Sequence, residues 1–137
     1  MVFSKGTGYG IRALAFLARH NEMRRCGLNE IAASEQIPSE YLRKLLTELR
    51  RHWLIKSVKG IGGGYLLAKE PWSITLWDVF SALDQDPYLD ECVLCGSPKD
   101  KPPCPFCSEW RQVGQDLESR LRSWTIAKYA GIAPANI

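Results

Sequence analysis

The stretch SEYLRKLLTELRRHWLIKSVKGIGGGYLLAK, residues 39–69, runs from an amphipathic helix into a glycine-rich hairpin, and its reading decides the fold. Leu42, Leu45, Leu46 and Leu49 recur at i, i+3, i+4 and i+7, with Tyr41 extending the stripe. That spacing predicts a helix with one buried face. The opposite arc carries Ser39, Glu40, Arg43, Lys44, Thr47, Arg50 and Arg51, and is mostly basic. Two β-like runs at 54–59 and 65–68 then flank Gly60-Ile61-Gly62-Gly63-Gly64. Glycine reaches positive φ at no steric cost, so this segment reads as the tip of a β-hairpin. A nucleotide-binding loop is excluded, because no G-K-[ST] follows and the glycines do not open a helix.

Working upstream, LNEIAASEQ (28–36) sets Leu28, Ile31 and Ala32 at helical spacing, with Glu30 near the helix start. Ile37-Pro38 ends that helix, since proline lacks a donor and restricts the residue before it. Two short helices across a tight turn, the second basic outside, form a helix-turn-helix pattern. A basic hairpin directly after it is a wing, placed to touch phosphates or a minor groove. The candidate DNA contacts are Ser39, Glu40, Tyr41, Arg43, Lys44, Arg50 and Arg51 on the helix. Lys56, Lys59, Gly60, Gly62 and Gly63 join them from the wing. A merely solvated face is the plain alternative for the helix alone; the wing beside it favours DNA.

The flanks supply more helix. Residues 9–19 carry Leu14, Leu17 and Ala18 on one face. Thr75 as N-cap with Asp78 forms a capping box ahead of Leu76, Val79, Phe80 and Leu83. From Ser108 a last helix is expected to run to about Tyr129. Its Trp110, Val113, Leu117, Leu121 and Trp124 recur close to every 3.5 residues, as a dimer seam would. The fold class expected is mainly α: a winged helix-turn-helix with a β-hairpin wing and a long C-terminal dimerisation helix. Three parts follow: 1–83 for DNA, 84–107 for a cysteine-rich loop, and 108–137 for dimerisation and tail.

A chain of 137 residues is long enough to bury a core without disulfides, and 45% hydrophobic with 24% charged residues argues against extensive disorder. Arg12 interrupts the first apolar stretch and no cleavage site follows, so no signal peptide is read. No apolar run approaches a membrane span. The expected location is the cytoplasm, where thiols stay reduced.

That compartment bears on DECVLCGSPKDKPPCPFCSEW, residues 90–110, which holds Cys92, Cys95, Cys104 and Cys107 as C-x2-C-x8-C-x2-C. Four thiolates in 16 residues suit tetrahedral zinc or an iron–sulfur cluster; a disulfide staple ranks third. Spacing alone favours zinc, although the gap between pairs is shorter than in most zinc ribbons. Cys26 reads as a structural or incidental thiol. His20 and His52 lie far in sequence from the cysteines, and no nucleophile arrangement is legible, so no enzyme and no small-molecule substrate are expected. A small redox protein using the C-x-x-C pairs would leave the basic helix and the wing unexplained, and no βαβ pattern accompanies them.

KGTGYGIRALAFLA, the 28–69 segment, ITLWDVFSALD and the EC that opens the cysteine loop together resemble the Rrf-type regulators, the family of IscR, NsrR and CymR. The resemblance covers nearly the whole chain. It implies a homodimeric winged-helix repressor or activator on a palindromic duplex operator. It also implies a cluster held in the loop before the dimer helix. Cys92 and Cys104 match the family's first and last cysteine ligands, and Cys107 stands where cluster-binding members carry a histidine. Cys95 departs from the pattern, and Gly8, where some relatives place an acidic ligand, offers no ligand atom. Tyr41, Arg43 and Lys44 fall on the family's base- and phosphate-contacting helix, and Lys59 on its wing tip. The resemblance moves an iron–sulfur cluster, [2Fe–2S] or [4Fe–4S], ahead of zinc; a regulator answering to a partner protein is a further alternative.

Overall fold

A computed structural model describes residues 4–20, 25–84, 92, 94–95 and 104–132. Among these residues six helices and one hairpin follow one another as α1 (Lys5–His20), α2 (Leu28–Glu35), α3 (Ser39–Arg51), β1 (Ile55–Val58), β2 (Gly64–Leu67), α4 (Leu76–Leu83), α5 (Cys107–Ser123) and α6 (Ile126–Ala130). A 3-10 turn at Pro71–Ser73 leads into α4.

Helix α1 starts four residues before the apolar periodicity does. Its first half is KGTGYG, and three glycines weaken any sequence signal for a helix. Tertiary contact overrides propensity here. A Cβ at Gly6 would stand 2.8 Å from the Tyr41 hydroxyl, and one at Gly10 would run into Leu83, so small residues let α3 and α4 close on α1. The Asp84 carboxylate accepts from the backbone N–H of Ser4 at 3.2 Å and from the buried Thr7 hydroxyl. An anion at a helix N-terminus is stabilising, and this one ties the end of α4 to the start of α1.

Gln36 takes the left-handed conformation that closes α2 (φ 55°), and the Ile37 N–H donates to the Ala32 carbonyl at 3.0 Å. Pro38 then stands at the N-cap of α3, as the Ile37-Pro38 break predicts. Leu42, Leu46 and Leu49 are fully buried and pack with Leu14, Leu17, Ile31, Ile55, Ile74 and Ile126 in one core, while Leu45, also buried, lies against Gly6 of α1. The hairpin is antiparallel, with Ile55 opposite Leu67 and Val58 opposite Gly64. Its tip closes through Gly63 N–H donating to Gly60 O at 3.0 Å. Gly62 sits at φ 75°, the position that a type II turn reserves for glycine.

Cys26 is fully buried and bridges to Tyr65 by two backbone hydrogen bonds of 3.1 and 2.8 Å. This residue ahead of α2 therefore adds a one-residue third edge to the wing.

The expected continuous helix over 108–129 is two helices. It stops at Ser123, Trp124 turns extended, and Thr125 N-caps α6 by accepting from the Lys128 N–H at 3.1 Å. Two hydrogen bonds hold the break against the entry to α4: Leu76 N–H to Trp124 O (2.8 Å) and Ile126 N–H to Ile74 O (2.9 Å). The interruption lets Ile126 and Ala127 bury, with α6 against α1, which a straight helix would carry past. The capping box at Thr75 and Asp78 forms as expected, with reciprocal bonds of 3.1 and 2.9 Å. Among the described residues no helix is long and apolar enough to cross a membrane.

Candidate nucleic-acid interface and metal centre

Burying the leucine stripe of α3 leaves its other side to solvent. Ser39, Glu40, Arg43, Lys44, Thr47, Arg50 and Arg51 are all exposed. They are not equivalent. Arg50 Nη1 donates to Ser57 Oγ of β1 at 3.1 Å, which couples α3 to the wing. Arg51 is drawn back onto Glu48 at 2.9 Å, and Arg43 lies 3.7 Å from Glu40. Such exposed pairs are worth little and yield to a phosphate readily. Tyr41 stands edge-on to Tyr9 of α1, ring centroids 5.6 Å apart, so it belongs to the α1–α3 seam as much as to the outer face.

On the hairpin, Lys56 and Lys59 are exposed beside the tip. Three features had not been singled out. Ile61 is fully exposed at the tip, and Arg25 donates to Gly62 O at 3.4 Å, bracing the tip from the segment before α2. Trp53 is 78% exposed and holds φ 62°, a backbone state unusual for a bulky residue, between α3 and β1. The basic Arg24-Arg25 pair ahead of Cys26 was the available signal for Arg25; nothing in the sequence announces the conformation of Trp53.

The four loop cysteines come together, and none of the five cysteines is in a disulfide. All four sulfurs of Cys92, Cys95, Cys104 and Cys107 lie within 4.8 Å of one another. Neighbouring pairs are closer: Cys92–Cys104 at 3.7 Å, Cys95–Cys107 at 3.4 Å and Cys104–Cys107 at 3.4 Å. Each C-x2-C pair makes the same turn, with Cys95 N–H donating to Cys92 O (3.3 Å) and Cys107 N–H to Cys104 O (3.2 Å). Cys26 lies outside the group.

Four bare thiols this close cannot all ionise. Burial opposes the Cys92 thiolate, but hydrogen bonds from the backbone of Leu94 and Cys95, then from the Cys104 and Cys107 thiols, outweigh it and lower its pKa from 9.0 to about 7. Cys107 is pushed up to about 12 by Cys95 and Cys104, with burial adding to them. A bound cation removes the conflict by drawing off the protons, since metal ligands bind as thiolates. The donor set therefore suits a thiolate-bound metal or cluster.

Cys107 is also the first residue of α5, so the centre adjoins that helix. Of the expected dimer seam, Leu121 is buried within the chain, Trp110 and Leu117 are half-buried, and Val113 (54%) and Trp124 (37%) are exposed.

A two-helix reader followed by a basic, glycine-tipped wing is the architecture of a winged-helix DNA-binding regulator of transcription. The sequence profile of the Rrf2 family, described as iron-dependent transcriptional regulators, matches residues 3–131. The chain belongs to that family. It is 32% identical over 125 residues to the HTH-type transcriptional regulator IscR of Klebsiella pneumoniae, covering 91% of this chain and 76% of that one. Among the solved structures similar to it are two regulators. One is CymR, the global cysteine regulator of B. subtilis, with TM-score 0.82, 25% identity and 98% and 99% coverage of the two chains. The other is T. potens IscR, with TM-score 0.78, 31% identity and 96% and 87% coverage.

Proposed function

We propose that this regulator binds a palindromic duplex operator as a homodimer in the cytoplasm, under the control of an inorganic centre held by Cys92, Cys95, Cys104 and Cys107. The observation that carries the DNA reading is the Arg50–Ser57 bond, which fixes the exposed face of α3 relative to the wing. Arg43, Lys44 and Arg50 serve as helix contacts, and Lys56, Lys59 and the glycine tip follow the backbone. Phosphate contacts position and base contacts specify, so Arg43 on α3 reads sequence while Lys59 mainly neutralises charge.

The dimer reading rests on uncovered apolar surface. Val113 and Phe106 are each 54% exposed, and the Trp110 indole N–H is buried with no acceptor among the described residues. An apolar recess of about 300 Å3 opens between α1, α4 and α5, lined by Thr7, Ile11, Leu76, Leu121 and Trp124. A second copy of α5 covers these surfaces. In this arrangement residues 1–83 read DNA, 84–107 hold the centre, and 108–137 pair the subunits.

For the centre, kinship to proteins named IscR supports the iron–sulfur cluster expected from the resemblance, and the spacing of the sulfurs supports zinc. Either would bind the same four thiolates and supply an inorganic link between the loop and α5. Control by a partner protein is the alternative reading, but four gathered thiols favour a metal-based signal.

The test is selection from a random duplex library, with loaded and stripped protein, combined with sedimentation. The expected result is a two-fold symmetric motif enriched by a dimer in one of the two states. Arg43→Ala should weaken binding by about 1–3 kcal/mol and relax preference at one position per half-site. No enriched motif in either state, or a monomer at micromolar concentration, would sink this reading.

A further inference from the structure

We propose that the four thiolates hold one zinc ion, not a multi-iron cluster, and that the ion clamps the start of α5 to the segment following α4. The inference rests on the centre assigned above to the four cysteines and names its occupant. Thiolates bound at about 2.3 Å around one tetrahedral ion stand about 3.8 Å apart. The three closest pairs here are 3.4, 3.4 and 3.7 Å apart, and no pair exceeds 4.8 Å. A cluster spreads its cysteines over two or four irons, with bridging sulfides between them. Thiolates on different irons are then separated by the metal–sulfide core and cannot all share one ion's coordination sphere. To admit a cluster, the two C-x2-C turns would have to move apart.

The backbone agrees with the sulfurs. The two turns repeat the same hydrogen bond and interleave, so that Cys92 meets Cys104 while Cys95 meets Cys107. The ligands come in two equivalent pairs around one point. With four protein thiolates, no position is left open for water or substrate, which is the donor count of a structural zinc site. Cys95, the residue that departs from the family's pattern, is what completes the set. Because Cys107 is the first residue of α5 and Cys104 precedes its first turn, removing the ion releases the anchor of that helix.

The experiment is elemental analysis and absorption spectroscopy of the full chain, purified without oxygen from cells supplied with both iron and zinc. The expected result is one zinc per chain, no acid-labile sulfide and no visible chromophore. Exchange with Co2+ should then give the intense visible bands of tetrahedral thiolate cobalt. Loss of a group that merely hydrogen-bonds to a metal ligand weakens metal sites by about 10–100-fold, so Cys95→Ser, which removes a ligand, should cost at least as much. Cys26→Ala should keep one zinc. Stoichiometric iron with acid-labile sulfide overturns the proposal, as does an unchanged zinc content in Cys95→Ser. The wild-type analysis needs no variant to fold. DNA binding measured in parallel separates the two readings. Zinc with DNA affinity indifferent to its removal sinks control by the centre and keeps the ion; a cluster with cluster-dependent DNA binding does the reverse.

Discussion

Residues 4–84 and residues 104–132 are built on different terms. In the first segment each of the main helices buries an apolar stripe: Leu14, Leu17, Ile31, Leu42, Leu46 and Leu49 are at most 1% exposed, while Trp53 and Ile61 stand out at the base and tip of the wing. Helix α5 in the second segment buries only Gly114 and Leu121 and leaves Val113 and Phe106 at its N-terminal end to solvent. The DNA-reading part thus supplies most of the core, which α6 joins through Ile126. On the function proposed above, the C-terminal part is completed from outside the chain, by a metal at its four cysteines and a second subunit along α5.

The comparison breaks most directly at Leu46, which is fully buried. Leu46→Ala should cost about 2–5 kcal/mol in denaturant unfolding. That cost should not depend on protein concentration, because the residue packs only within its own chain. Val113→Ala should change stability by less than about 0.5 kcal/mol in the dilute limit, and its cost should grow as the protein is concentrated into dimers. Equal, concentration-independent costs for the two variants would show α5 to be self-sufficient.

Next in size is Val113→Asp, which places a charge on the exposed seam of α5 without touching the core. Burying it against a second copy should cost at least about 2 kcal/mol, roughly thirtyfold in the dimer dissociation constant. Sedimentation should show monomers where the wild type is dimeric, with unchanged helical circular dichroism. A dimer of wild-type strength would place the interface away from Val113.

The same division governs how much of the molecule the sequence discloses. Residues 28–83 were legible because local signals agree there: leucines at 3.6 spacing, proline at Pro38, glycine at the turn and a capping box at Thr75. The four cysteines declared a common centre through their paired spacing. What stayed hidden depends on distant partners. The glycines of α1 hide a helix that contact with Tyr41, Leu45 and Leu83 permits. Cys26 joins the wing through backbone bonds alone, which no side-chain pattern can announce. The 3.5-residue repeat running through Trp124 spans a break fixed by bonds to Ile74 and Leu76, some fifty residues earlier in the chain.

That break supplies a smaller test. Thr125 caps α6 with its hydroxyl, and Thr125→Ala should cost about 1 kcal/mol, as lost N-caps do. Ser or Asp at this position should restore most of it. If Thr125→Ala is neutral, the α6 N-terminus is held by the backbone bonds to Ile74 and Leu76 alone. The hydroxyl would then have no share in dividing the C-terminal helix.

The smallest expected effect lies at the tip of the wing. Lys59 is exposed, and its side chain makes none of the hydrogen bonds or ion pairs found among the described residues, so its loss should leave folding stability unchanged. On duplex DNA it should neutralise one phosphate. Each phosphate neutralised contributes about 0.9 to the slope of log affinity against log salt, and Lys59→Ala should lower the measured slope by about that amount. The loss should be nearly uniform across operator variants, because a phosphate contact carries no sequence information. Arg43→Ala, on the face of α3, should instead change the ranking of those variants. If Lys59→Ala shifts sequence preference and leaves the salt slope intact, the wing reads bases. The division of labour between helix and hairpin would then be reversed.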